Sequence, residues 1–68
     1  MIGKVECQLV YFKDSISAQA KSIDAVTWIT LESFERNNEL EAHTFIDGYA
    51  ASAERAGYEC FKHQPQWS

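Results

Sequence analysis

The chain has 68 residues, 46% of them hydrophobic, with 10 acidic against 6 basic side chains for a net charge of −4. The bases Lys4, Lys13, Lys21, Arg36, Arg55 and Lys62 are scattered, so no basic stripe forms to neutralise phosphates and direct nucleic-acid binding is not expected. No apolar run approaches the ~20 residues of a membrane span, and MIGKVECQ lacks the apolar core of a signal peptide, so the expected setting is the cytosol.

In chain order, GKVECQLVYFK alternates: Val5, Cys7, Leu9 and Tyr11 point one way, and Lys4, Glu6 and Gln8 the other. That period predicts a half-buried strand. Val10 and Phe12 break the polar face near its end. The segment Asp14–Ala25 is polar and small, and reads as a loop or a short helix. VTWITLESF, Val26–Phe34, is dense in β-branched and aromatic residues that suit a pleated surface, which predicts a second strand. The competing reading starts a helix at Ser22, with Ile23, Val26, Thr30 and Phe34 at compatible spacing.

The next stretch, Asn38–Gly57, predicts a helix with both ends marked. Asn38 is a capping residue, Glu39 and Glu41 meet the positive end of the dipole, Arg55 sits in the last turn, and Gly57 occupies the position after the cap. Ala42, Phe45, Ile46, Tyr49, Ala53 and Ala56 recur at helical spacing and form the predicted core stripe. A rival parse makes ELEAHTFI a strand and Asp47 the cap of a short final helix, but Glu, Ala and His are weak strand formers. Tyr58–His63 predicts a closing strand, ended by Pro65, with residues 65–68 as a short tail. The expectation is a single α+β domain over residues 1–68. Its order is ββαβ, one amphipathic helix on a three-stranded antiparallel sheet.

Cys7, His43, Cys60 and His63 supply the ligand types of a tetrahedral zinc site. Their spacing argues against one, because the only close pair is Cys60-x2-His63, and residues three apart on a strand face opposite sides. Two reduced core thiols and two surface imidazoles are expected, with a zinc module the weakest alternative. A Cys7–Cys60 disulfide would require adjacent strands, and a chain without an export signal keeps its thiols reduced. No glycine-rich phosphate loop and no electropositive setting for a thiol is visible, so neither catalytic residues nor a cofactor is expected.

Two surfaces remain. ESFERNNELE places Glu32, Glu35, Glu39 and Glu41 close together, opposed only by Arg36, and so predicts a negative corner between strand and helix. On the helix, Thr44, Gly48 and Ala51 lie opposite the core stripe with Leu40 one turn earlier. This outer face is small and smooth, flanked by Asp47 and Glu54 on one edge and Arg55 on the other. A glycine within a helix costs about 1 kcal/mol relative to alanine, and close approach of another backbone would account for it. Trp67, in the tail, is a residue type enriched in binding hot spots. The expected function is therefore a non-enzymatic module that binds a larger protein with a basic surface. A small acidic inhibitor or regulator of a nucleic-acid-handling host protein, of the phage or mobile-element kind, has this character. The alternative is a homodimer joined through the outer helix face or the first strand.

Overall fold

The computed structural model describes residues 3–68. They form β1 (Lys4–Tyr11), β2 (Ser15–Ser22), β3 (Ile29–Glu35), α1 (Glu39–Arg55), β4 (Glu59–Lys62) and β5 (Gln66–Trp67). The strands make one sheet in the order β3-β2-β1-β4, with β5 also paired to β1. The α+β class and the helix-on-sheet packing match the expectation, whereas the three-stranded antiparallel sheet is corrected to a five-stranded mixed one.

The first difference is β2. Neither a loop nor a helix, Ser15–Ser22 is an interior strand paired antiparallel with β1 (Leu9 opposite Ala18) and with β3 (Ile16 opposite Phe34). Its side chains alternate as a strand requires: Ile16, Ala18 and Ala20 are buried in the core on one face, while Ser17, itself buried, and the half-buried Gln19 and Lys21 lie on the other. Two of the three inward residues are alanine, so the hydrophobic signal is faint. The helix above supplies the burial.

The second difference is the direction of the closing strand. β3 and β1 both run antiparallel to β2, and β4 runs parallel to β1 with Val5 opposite Cys60. A connection between strands of the same direction needs a dozen or more residues. The 17-residue α1, about 26 Å long at 1.5 Å per residue, provides it by crossing β2 and β1 from one edge to the other. The tail then returns to β1 instead of hanging free, with Gln66 opposite Val10 and Trp67 opposite Tyr11. Since β1 has neighbours on both sides, it has no free edge for the homodimer envisaged through the first strand.

The helix matches its predicted bounds. Asn38 makes no side-chain capping bond, but the other end closes as expected: Gly57 has φ 96°, Gly57 N–H donates to the Glu54 carbonyl and Tyr58 N–H to that of Ala53. Of the predicted stripe, Ala42 and Ile46 are buried, Phe45 and Tyr49 pack against the core together with Ala50, Ala53 is half-buried, and Ala56 is exposed. Cys7, Leu9 and Tyr11 of β1 and Ile16, Ala18 and Ala20 of β2 complete the core.

Candidate functional site

The ten residues expected to meet a partner are all exposed: Glu32, Glu35, Glu39, Leu40, Glu41, Thr44, Asp47, Gly48, Ala51 and Trp67. The structure brings them together in part. Leu40, Thr44, Gly48 and Ala51 share the side of α1 turned away from the sheet. Leu40 is 80% exposed there, and a Cβ on Gly48 would meet no atom within 4 Å. Thr44 Oγ1 donates back to the Leu40 carbonyl at 2.9 Å, so its hydroxyl is turned into the helix and its methyl group remains outward. This face is the open surface that the glycine spacing anticipates.

Three of the ten, though exposed, already have partners within the chain. Asp47 pairs with Lys62 and ties the helix to β4. Glu39 accepts a hydrogen bond from the Tyr11 hydroxyl at 2.9 Å, and that Tyr11 hydroxyl oxygen lies 3.0 Å from His43 Nε2. One hydroxyl proton cannot serve both partners, so with Glu39 receiving it, His43 donates from Nε2. Burial, followed by the Glu39 carboxylate, raises the Tyr11 pKa above its ordinary value. Trp67 stacks on Tyr11 at 4.5 Å between ring centroids.

Arg36 explains why the corner stays negative. Its guanidinium donates to the Phe12 carbonyl at 2.8 Å and lies about 5 Å from the rings of both Tyr11 and Trp67. Glu32, Glu35 and Glu41 therefore keep no cationic partner within 4 Å among the described residues.

The four candidate zinc ligands are dispersed. Cys7 and Cys60 are free thiols 3.6 Å apart beneath α1, His43 sits with Tyr11 and Glu39, and His63 with Glu6. No group of three or more His, Cys, Asp or Glu placed to hold a metal occurs among the described residues. Burial and then the bond to Cys60 push the Cys7 thiol up to about 12, the opposite of an activated nucleophile. An open cleft between the C-terminal half of α1 and the start of β1 is lined by Val5, Ile23, Tyr49, Ala53 and Tyr58. Lys4 and Asp24 are its only charged lining residues among those described.

Sequence reasoning missed one polar assembly on the sheet face away from the helix. Lys21 and Glu6 are cross-strand neighbours bonded at 2.7 Å, and the other oxygen of Glu6 meets His63 Nε2 at 2.6 Å. Trp28, from the β2–β3 connection, packs over Lys21 at 5.4 Å and edge-on to His63 at 6.0 Å. The bond from Lys21, then that from His63, holds the Glu6 carboxyl below its ordinary value. Reading Ser15–Ser22 as a strand would have revealed the Glu6–Lys21 pair, because both then face outward on adjacent strands.

Comparison of the chain with protein-family models, curated proteins and solved structures gives no match. No helix among the described residues is long and apolar enough to cross a membrane.

Proposed function

We propose that the protein is a non-enzymatic protein-binding module that docks on a larger protein with a basic surface. The observation that carries this reading is the outer face of α1. That face carries an exposed Leu40 and, two turns further on, a backbone left bare at Gly48, while Glu32, Glu35 and Glu41 have no cationic partner among the described residues because Arg36 is bonded elsewhere. Small residues on a helix face let another backbone come close, and an uncompensated negative rim speeds and orients association with a basic surface. A small acidic regulator that occupies a basic groove of a nucleic-acid-handling protein fits this chemistry.

The test is capture from a host lysate at low and high salt, comparing the natural chain with Gly48→Leu and Leu40→Lys. Both substitutions fall on exposed positions, so circular dichroism should show the fold intact. The reading requires a specific, salt-sensitive partner that both variants lose. Identical capture by folded variants rejects the helix face.

A further inference from the structure

The outer edge of the sheet is as unoccupied as the outer helix face. β3 is the end strand of the order β3-β2-β1-β4, and of its seven residues only Phe34 is even half-buried, leaving Ile29 63% and Leu31 38% exposed. The opposite edge is broken into the four-residue β4 and the two-residue β5 with Pro65 between them. β3 is thus the one long edge among the described residues. Such an edge is a template for another strand.

Its backbone polarity follows from one bond. Arg36 N–H donates to the Asp14 carbonyl, and Ser15 lies opposite Glu35, so Glu32, Phe34 and Arg36 direct their amides toward β2. Ser33 and Glu35 direct theirs outward. The Ser33 N–H meets only the Glu32 carboxylate, at 3.3 Å, while the Glu35 carbonyl is taken by Asn38 N–H. Ser33 N–H and C=O and Glu35 N–H are the groups that an added strand would engage. A register shift near Thr30–Glu32 opposite Ala18 and Gln19 confines regular pairing to the C-terminal half of β3.

Charge selects the occupant. Glu32 follows Phe34 and Ile16 onto the helix side of the sheet, while Glu35 shares the other side with Ser15. A basic side chain on either face of an incoming strand therefore finds a carboxylate. A second copy joined edge to edge would instead bring two carboxylates, one from each copy, to each face with no cation between them, which is unfavourable for like charges across strands.

We infer that the β3 edge, around Leu31–Glu35, receives an extended segment of the partner protein as an added strand, with lysine or arginine on both faces and apolar residues between. The inference rests on the acidic docking reading above and specifies how the partner is held. Backbone bonds give affinity in such strand addition and side chains give selectivity.

The test uses the intact protein with a synthetic extended peptide that mixes lysine and valine. A control peptide has the same composition, with N-methyl groups on its backbone. Amide NMR should show shifts and hydrogen-exchange protection at Ser33 and Glu35 with the first peptide only. Ser33→Pro removes an outward N–H without removing a bond to β2 and should weaken binding about tenfold, as expected for a lost bond worth roughly 1.4 kcal/mol. Should that variant not fold, the natural chain makes the same comparison: the N-methylated peptide keeps every charge and loses the backbone bonds, so equal binding of the two peptides overturns the inference. Shifts confined to Leu40, Gly48 and Ala51, with Ser33→Pro binding normally, overturn the strand-addition inference and leave the docking reading standing. No binding of either peptide overturns the inference as well. Protection of Ser33 that rises with protein concentration in the absence of peptide overturns it in favour of a second copy.

Discussion

The sulfur atoms of Cys7 and Cys60 lie 3.6 Å apart on neighbouring parallel strands, both as free thiols beneath the helix. Cys60 stands opposite Val5, two residues short of Cys7, so the pair is diagonal across the ladder. The thiols meet as core packing and as a weak hydrogen bond.

From this contact follows a pH dependence. The folded Cys7 pKa of about 12 is raised above the ordinary 9.0. The neutral thiol is thus favoured by folding, and its contribution is complete below pH 9. Stability should fall as pH climbs from about 9 toward about 12, where the unfolded chain ionises first. Denaturant titrations across that range will measure it, and Cys7→Ala should flatten the slope. Iodoacetamide at neutral pH should leave Cys7 unmodified until the protein unfolds.

At the acid end the relevant group is Glu6. Its folded pKa is lowered from 4.5 by Lys21 and His63, so its stabilisation is present above that value and disappears as pH falls through the folded pKa. Glu6→Gln should be less stable than the natural chain at pH 7, and the difference should vanish in acid. Thermal melts at pH 7 and pH 2 will decide; equal melting temperatures at pH 7 would remove the Glu6 network from the account.

Gly48 within the helix and Gly57 just beyond its end should respond oppositely to alanine. At Gly48 a methyl group meets open space, so Gly48→Ala should stabilise the fold by about 1 kcal/mol. At Gly57 the backbone holds φ 96°, and Gly57→Ala should cost about 1 kcal/mol, since L side chains disfavour that region. Urea midpoints of the two variants supply the comparison.

Ile46 is the helix residue with the largest fully buried side chain. Ile46→Val should cost about 0.5–1.5 kcal/mol and Ile46→Ala about 2–5 kcal/mol. A domain of this length draws roughly 3–5 kcal/mol from its core. The alanine variant should therefore be largely unfolded at 37 °C by circular dichroism, while the valine variant stays folded.

What the amino-acid order determines by itself is everything carried by local periodicity and end chemistry. The helix Glu39–Arg55, its glycine stop, its bare outer face with Leu40 and Gly48, and the alternation of β1 were legible because each depends on neighbours within a few residues. The negative corner was legible as composition. That Arg36 turns away to Phe12, Tyr11 and Trp67, and that Asp47 spends its charge on Lys62, became visible only with the strands in place. Tertiary structure likewise made a strand of Ser15–Ser22, whose alanines acquire burial from the helix above them, and set β4 parallel because the crossover returns the chain in the direction of β1. The physical reason is the same in each case: small residues and long charged side chains have weak local preferences, so the packing of distant segments decides where they go.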